Sequence, residues 1–321
     1  MAGRGAGRFA PSPSGQLHLG NLRTAVVAWL FARSSGRAFL LRVEDLDRVR
    51  AGAEAEQLAE LAALGILSDG PVVRQSRNAA RYDQALGRLQ AEGLVYECFC
   101  TRRDVAEAAS APHGRPGFYP GTCRGLGEDE RERRREQRRP ALRLAAGVGS
   151  WVIEDLLTGH VTAPVDDFVL RRNDGVIAYN LAVVVDDAAQ GIDQVVRGDD
   201  LLESAPRQAY LASLLGLPAP TYAHVPLAVS PGGRRLAKRD GAVTLEDLAR
   251  LGWSPEAVLG VILASLGLPG GSLAAALASF DPARLPRDPW VVDPAVLSAG
   301  PFSAPAGPAC KPSAPTDKVL P

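Results

Sequence analysis

Three cysteines, one histidine and one lysine carry the chemistry that can be read first. Cys98-x-Cys100 is followed by Tyr119-x3-Cys123. Two thiolates one residue apart and a third close behind fill three corners of a tetrahedral zinc site, which then needs a fourth ligand. Tyr119 and His113 are the candidates, and imidazole is the commoner ligand. Without metal, the same cysteines would be three small hydrophobes. The second feature is "RFAPSPSGQLHLGN", residues 8–21, set directly before the apolar run "LRTAVVAWLFA". A loop of small residues entering a helix N-terminus suits a phosphate-bearing ligand, because backbone N–H groups point outward there and the helix dipole favours negative charge. Gly15 and Gly20 would admit close approach, the prolines would fix the loop, and His18 could donate to a phosphate or ribose oxygen. The pattern is neither a Walker A loop nor G-x-G-x-x-G. Lys238 lies in "GGRRLAKRDG", which taken alone is a basic surface turn.

The elements that must position these residues follow from periodicity. A strand ends near residue 10, a helix carries Leu22, Ala25, Val26, Trp29 and Leu30 at helical spacing, and Gly36 stops it. "AFLLRVED" reads as a buried strand, Glu54 to Leu64 as a helix ended by Gly65, "PVVRQS" as a strand and "AARYDQALGRLQAEG" as a helix. That alternation predicts a parallel α/β sheet. From Tyr96 the texture changes to cysteines, Gly and Pro, then "EDERERRREQRRP", which reads as a solvated helix with acids and bases at i,i+4 rather than an RNA-binding stripe. "ALRL", "WVIEDLL", "HVTAPVDDFVLRR" and "GVIAYNLAVVVDD" read as strands with "NDG" as a hairpin turn. "QVVRGDDLLESAPRQAYLASLLG" returns to strand, turn and helix. The cysteine stretch is therefore expected as an insertion in a doubly wound domain. "TLEDLARLGWSPEAVLGVILASLG" reads as helical, and residues 301–321, which include Cys310, as a disordered tail.

Composition limits the function classes. The 321 residues carry 36 Lys plus Arg against 36 Asp plus Glu, so no general electrostatic attraction to nucleic acid exists, although a local basic groove remains open. No secretory leader and no run of about 18 apolar residues is visible, so a cytoplasmic protein without a membrane partner is expected.

Five segments resemble the class I glutamyl-tRNA synthetases in the same order along the chain. "RFAPSPSGQLHLGN" is similar to their signature, with "HLGN" where HIGH stands, and "RRLAKRD" is similar to the KMSKS loop. "LLRVEDLD", "AYNLAVVVDD" and "VVRGDDLLESAPRQ" match three segments between them. The resemblance spans about residues 8–245. It implies a class I aminoacyl-tRNA synthetase fold: an α/β Rossmann-like parallel sheet with a zinc-containing insertion and a short helical C-terminal region. The expected division is 1–95 and 181–240 for the two catalytic halves, 96–180 for the insertion, 241–300 for a helical stem-contact region and 301–321 for the tail.

The same resemblance implies activation of L-glutamate by ATP, with Mg2+ accompanying the nucleotide. His18, Gly20, Asn21 and Lys238 would hold ATP, His18 and Lys238 in catalytic roles. Lys238 would stabilise charge on the leaving pyrophosphate, although Arg235 and Ala237 depart from KMSKS. Arg8, Ala10, Ser12, Glu44, Tyr179 and Arg197 stand where the family contacts the amino acid. Glu44 suits the ammonium, and the arginines suit the carboxylates. Asp186 and Asp187 would contact ribose or cap a strand end. The glutamyl-Q tRNA(Asp) branch carries C-x-C followed by Y-x3-C, which favours Tyr119 as the fourth ligand of a structural zinc beside Cys98, Cys100 and Cys123. After Lys238 the chain runs only to 321, too short for the helical anticodon-binding region of a full synthetase, so that domain is expected to be absent. The branch activates glutamate without tRNA and attaches it to the queuosine base at the wobble position of tRNA(Asp). The implied partners are glutamate, ATP and an anticodon loop, with no DNA, and the chain is expected to be a monomer. The rival readings are a ligase acylating a small amine, a truncated enzyme charging a 3′ end, and a catalytically dead binding protein.

Overall fold

The computed structural model describes residues 5–109, 118–236, 243–298 and 300. The chain opens with strand β1 (Ala6–Phe9), helix α1 (Leu19–Ser34), strand β2 (Ala38–Val43), helix α2 (Ala53–Ala63) and the short strand β3 (Val73–Arg74). Helix α3 (Ala79–Ala91), strand β4 (Val95–Cys98), helices α4 (Arg102–Ala109) and α5 (Glu128–Gln137), and strands β5 (Ala141–Leu144), β6 (Ser150–Asp155), β7 (Gly159–Pro164) and β8 (Val169–Arg171) follow. Then come helix α6 (Tyr179–Ala189), strand β9 (Ile192–Gly198), helix α7 (Ala205–Leu214) and strands β10 (Thr221–Val225) and β11 (Ala228–Val229). Helices α8 (Leu245–Arg250), α9 (Pro255–Ala264) and α10 (Leu273–Ala278), strand β12 (Trp290–Val291) and helix α11 (Pro294–Ser298) close the described part.

The main sheet has seven strands in the order β3-β2-β1-β9-β10-β6-β7. Every neighbouring pair is parallel except β6–β7. The expected parallel α/β sheet is therefore present. From β1 the chain winds outward through β2 and β3, and from β9 it winds the other way through β10. The order thus reverses between β1 and β9, and in open α/β sheets such a reversal opens a crevice beyond the carboxyl ends of the strands.

Helix α1 fills one face of this sheet. It is apolar nearly all round, as a helix packed on both sides must be, with Leu22, Ala25, Val26, Leu30 and Phe31 buried in a core shared with α9 and α10. Gly7 on β1 gives it room, since a Cβ there would sit 3.0 Å from the Ala32 Cβ. Arg23 ties α1 to the C-terminal region through Nε to Ser265 Oγ at 3.1 Å and a terminal nitrogen to the Pro226 carbonyl at 2.7 Å. Burial pushes its pKa down to about 10, against the pull of Asp199. Helices α3, α6 and α7 cover the other face in a second core.

The run "GVIAYNLAVVVDD", expected as a strand, contains helix α6 instead. A short continuous apolar run has no period to separate the two forms. The helix prevails because it turns Leu181 and Val185 into the second core and presents Asp186 and Asp187 to a buried arginine. Arg42 of β2 is fully buried; it donates to Asp187 Oδ1 at 2.7 Å and to Gln190 Oε1 at 2.9 Å, and its Nε lies 4.0 Å from Asp186 Oδ2. Asp186 also accepts from Tyr82 Oη at 2.7 Å, Gln75 Nε2 at 2.9 Å and Asn78 Nδ2 at 2.7 Å. These two aspartates therefore neither cap a strand nor stand ready for a ribose.

The span expected as an insertion, 96–180, holds two kinds of strand. β5 and β8, with β4, form a separate three-stranded antiparallel sheet beside the cysteines, whereas β6 and β7 extend the main sheet past β10. "PVVRQS" supplies only the two residues of β3 before a 3-10 turn at Gln75–Asn78. "NDG" makes a tight turn, with Arg172 N–H bonded to the Val176 carbonyl at 2.8 Å. α5 has no buried residue and is laced by Glu128–Arg135 and Glu130–Arg134 pairs at 2.6 Å, the solvated helix expected. The region after residue 243 is mainly helical, but β12 pairs in parallel with β11. His113, Lys238 and residues 301–321 lie outside the described residues.

Removing the buried cation of β2 leaves Glu44, Asp186 and Asp187 short of positive charge. Arg42→Met is expected to cost about 3–5 kcal/mol, the usual penalty for breaking a buried ion pair on one side. Urea denaturation followed by far-ultraviolet circular dichroism checks this, and a loss below about 1 kcal/mol, the scale of a surface pair, would remove Arg42 from that role.

Candidate active site

The loop between β1 and α1 lies at the crevice mouth and is clamped from two sides. Gln57 of α2 donates through Nε2 to the Ser12 carbonyl at 3.1 Å and the Gly15 carbonyl at 2.5 Å, and Glu60 accepts from Leu17 N–H at 2.9 Å. On the other side Leu19 N–H reaches the Val243 carbonyl at 2.9 Å, and Gln16 Nε2 donates to Glu246. Leu236, just before the Lys238 stretch, donates its N–H to the Ala228 carbonyl at 3.0 Å. The described residues flanking Lys238 are thus anchored next to this loop.

His18 is the N-cap of α1. Its Nδ1 accepts from the N–H groups of Gly20 at 3.1 Å and Asn21 at 3.3 Å, and Asn21 Oδ1 accepts from His18 N–H at 3.3 Å. The amides near Gly20, expected to cradle a triphosphate, are therefore turned toward the imidazole. With Nδ1 an acceptor, the neutral ring carries its proton on Nε2, which makes that edge a donor. Gly20 is required by contact, since a Cβ would meet His18 Nδ1, His18 Cε1 and Ala228 Cβ, each at 3.0 Å.

Four of the expected amino-acid contacts come together where β1, β2 and β9 end. Arg8 is buried on β1 and donates from Nε to Asp187 Oδ1 at 3.3 Å. Glu44 follows β2 and accepts from Arg42 at 3.2 Å. Burial raises the Glu44 carboxyl above its ordinary value, and the pull of Arg42 and then Arg8 offsets this only in part. Burial would also raise Asp187, but Arg8 and Arg42 hold it below the ordinary range. Arg197, buried on β9, donates to Gln208 Oε1 at 2.9 Å, the Tyr179 hydroxyl at 3.4 Å, the Leu201 carbonyl at 3.3 Å and His224 Nε2 at 3.0 Å. Tyr179, the first residue of α6, keeps 40% of its surface exposed; partial desolvation and then Glu44 raise its pKa, while Arg197 and Arg8 oppose the rise. Glu44, Arg197 and Arg8 therefore all bear on the Tyr179 hydroxyl. Ala10 is half-buried and Ser12 exposed on the loop above them.

Arg42, Asp155, Gln208 and His224 belong to this site but were not singled out in the sequence. Arg42 had a signal, an arginine inside an otherwise apolar strand run. Gln208 lies within the matched "VVRGDDLLESAPRQ". His224 is one of only four histidines in the chain and sits in an apolar strand. Nothing local marks Asp155.

In the smaller sheet the three sulfurs of Cys98, Cys100 and Cys123 lie within 4.8 Å of one another. Tyr119 Oη lies 3.4 Å from Cys98 Sγ and 3.6 Å from Cys100 Sγ, and Cys100 Sγ lies 3.6 Å from Cys123 Sγ. Zinc bonds of roughly 2.3 Å to sulfur and 2.0 Å to oxygen separate tetrahedral donors by about 3.5–3.8 Å, so this set of donors fits a metal of that kind. Cys123 N–H donates to Tyr119 Oη at 2.9 Å, and the Arg143 guanidinium lies 3.7 Å over the tyrosine ring. Burial and then the hydrogen bonds with the three cysteines push the Tyr119 hydroxyl well above its ordinary pKa, against the Cys123 amide. Burial pushes the Cys100 thiol up to about 11.

Residues 6–277 match the catalytic domain of the class I tRNA synthetases (E and Q). A glutamyl-Q tRNA(Asp) synthetase of Nocardia farcinica is 65% identical over 289 residues, 90% of this chain and 93% of that protein. The chain belongs to the glutamyl-Q tRNA(Asp) synthetase family. Another member, from Symbiobacterium thermophilum, is 46% identical over 91% of this chain and 97% of its own length. A glutamate tRNA ligase of Elizabethkingia meningosepticum, solved in complex with its amino acid, superposes with a TM-score of 0.75 and 28% identity over 88% of this chain; the chain spans 66% of that protein. The family therefore accounts for the class I fold, with its mostly parallel sheet and the order of the matched motifs.

A carboxyl whose pKa is raised takes up a proton sooner as pH falls. If Glu44 receives an ammonium, affinity for L-glutamate is expected to drop on acidification beginning above pH 4.5, the ordinary value for glutamate. Calorimetric titration with glutamate at stepped pH measures it, and Glu44→Gln should bind weakly with that pH dependence flattened.

Proposed function

We propose that this chain activates L-glutamate with ATP and transfers it to the queuosine base at the wobble position of tRNA(Asp). The observation that carries the reading is Arg197. It is a buried cation at the switch crevice whose hydrogen-bond partners, among the described residues, are all neutral. An unpaired buried charge is costly, and a carboxylate ligand offsets that cost while gaining a geometrically defined contact. Arg8, already paired with Asp187, supplies a second cation, and Glu44 is the acid for the ammonium. The names of the relatives point to the same substrate and the same acceptor.

The chemistry asks mainly for placement and charge stabilisation. A glutamate carboxylate oxygen attacks the α-phosphorus, the bond to the β-phosphate oxygen breaks, and pyrophosphate leaves. His18 Nε2–H donates to phosphate from the mouth of the loop, with Gly20 and Asn21 acting through the ring they orient. Lys238 meets the charge developing on pyrophosphate, from a stretch whose flanks are anchored to Ala228 and Leu19. Mg2+ bound with the nucleotide would add charge neutralisation. In the second step the acceptor displaces AMP from the adenylate carbonyl. Activation proceeds without tRNA, and the anticodon loop then enters the groove, where RNA loops are read by splayed bases and shape. The chain acts as a monomer in the cytoplasm; among the described residues no helix is long and apolar enough to cross a membrane.

Cys98, Cys100, Cys123 and Tyr119 would hold a structural zinc, which stiffens the small sheet and takes no part in the reaction. Cys100→Ser is expected to lose bound zinc by elemental analysis, and Tyr119→Phe to lose most of it. Full zinc in the tyrosine variant would move the fourth position to His113 or solvent.

Lys238→Ala is expected to lower glutamate-dependent ATP–pyrophosphate exchange by roughly 10²–10³-fold, the scale seen when one transition-state donor is removed. Near-normal exchange would end that role. For the acceptor, labelled glutamate is offered with ATP to tRNA with and without queuosine. Label confined to the queuosine pool, and retained on the anticodon fragment after nuclease cleavage, is the expected result. Equal label on both pools at the 3′ end would make the chain a charging enzyme.

A further inference from the structure

We propose that Asp155 and His224 are positioning residues that set the orientation of Arg197 toward the substrate carboxylate. The proposal rests on the reading of Arg197 as a glutamate ligand. The three residues lie on the neighbouring strands β6, β10 and β9, at their carboxyl ends, and His224 stands directly opposite Arg197 in the β10–β9 register. They form one hydrogen-bonded row across the sheet that ends at the crevice.

The direction of every bond in that row is determined. Asp155 is buried and accepts from four groups: Leu157 N–H at 2.9 Å and Thr158 N–H at 3.0 Å on Oδ1, and His224 N–H at 2.9 Å and His224 Nδ1 at 2.7 Å on Oδ2. A carboxylate held by three backbone amides stays ionised, so it has no proton to give and Nδ1 must carry one. His224 Nε2 then has only its lone pair, and it faces Arg197 Nε at 3.0 Å. Arginine can only donate, so a single tautomer satisfies both contacts. Burial lowers the His224 pKa, with Asp155 opposing, and the ring stays neutral. Tyr222 closes the arrangement, stacked on His224 with ring centres 5.9 Å apart and lying 5.6 Å from the Arg197 guanidinium carbon.

The consequence falls on the guanidinium. Its Nε–H is committed to the sheet side, which restrains rotation of the plane and leaves the two terminal nitrogens to Gln208, the part-exposed Tyr179 hydroxyl and the Leu201 carbonyl. Gln208 steadies one of them, and its own Nε2 is bonded to Asn180 Oδ1 at 3.0 Å. A planar fork held this way meets a carboxylate in one geometry, which is the use of an outer contact that orients an inner ligand.

The test is Asp155→Asn, measured by calorimetric titration with L-glutamate and separately with ATP. Whichever way the new amide turns, its NH2 meets donors. On the histidine side this drives the proton to Nε2, against Arg197. The glutamate dissociation constant is expected to rise roughly tenfold or more, the worth of one hydrogen bond to a charged group, with ATP binding unchanged. Ring 15N shifts should show His224 moving from the Nδ1–H to the Nε2–H tautomer. His224→Leu should weaken glutamate binding in the same way, and His224→Gln, which offers Arg197 an amide oxygen, should recover most of it. Thermal melts establish that each variant is folded, and the His224 pair serves if Asp155→Asn is not. Arg197→Ala is the reference. If it weakens glutamate binding while folded Asp155→Asn and His224→Leu do not, the positioning role is overturned and the reading of Arg197 stands. Equal loss of glutamate and ATP binding in the Asp155 and His224 variants also overturns the proposal. Normal glutamate binding by Arg197→Ala would overturn both.

Discussion

A guanidinium with no exposed surface sits on β2, one strand in from the edge of the main sheet, and it decides how the two halves of the molecule meet. Arg42 cannot be solvated, so the elements around it must supply carboxylates. Glu44 is the residue just after its own strand, and Asp186 and Asp187 come from the opposite side on α6. This requirement places α6 on the sheet face, and α6 in turn brings Tyr179 to the crevice from its first turn. Asp187 bridges Arg42 to Arg8, so the charge that docks the helix also orients Arg8 on β1. Stability and recognition are the same contacts here, and neither can be altered alone.

The buried arginines divide according to their partners. Arg42 is surrounded by acids and is fully committed to the fold. Arg23 has two neutral oxygen acceptors and lies over the Trp290 ring, and it staples α1 to the C-terminal region. Arg197 also has neutral partners, but it stands on β9, where the strand order reverses. Position in the topology, rather than burial or residue type, sets it apart from the other two. The histidines divide in a similar way. His18 uses Nδ1 to accept from the first turn of its own helix, whereas His224 uses its two nitrogens to join residues of neighbouring strands.

Local pattern carried the first half of the domain well. The signature loop, α1, β2 and α2 are each bounded by glycine, proline or a capping residue, so their ends were visible. Arg8, Glu44 and Arg197 stood out only through the family resemblance, which sets them where the amino acid is contacted; taken alone, Glu44 reads as a surface acid. The "AVVVDD" run was not legible, because β-branched residues favour strand locally and the winning term, pairing of its two aspartates with Arg42, comes from 145 residues away for the Asp187 contact. The amides of Gly20 and Asn21 were given to the ligand since sequence cannot show that the adjacent imidazole already takes them. β6 and β7 were grouped with the cysteine region by chain position, yet strand pairing follows the sheet edge they reach. Asp155 had no local signal, as its role exists only once three strands lie side by side.

The cysteine unit is connected to the crevice through α7. Tyr119 N–H donates to Asp166 at 2.9 Å, and Asp166 pairs with Arg207 of α7 at 2.8 Å. The neighbouring residue on that helix, Gln208, holds Arg197. Asp167, next to Asp166, accepts from Tyr96 at 2.7 Å and Ala146 N–H at 2.8 Å, so the turn joining β7 and β8 is fixed from several directions. A donor set that closes around one point needs no contact with substrate to matter for it. By fixing Tyr119 it fixes the aspartate that α7 leans on, and α7 presents the amide against which Arg197 is aligned. Rigid packing transmits such constraints because cores do not deform continuously. The small sheet is thus a buttress for Arg197 as well as a surface beside the main sheet.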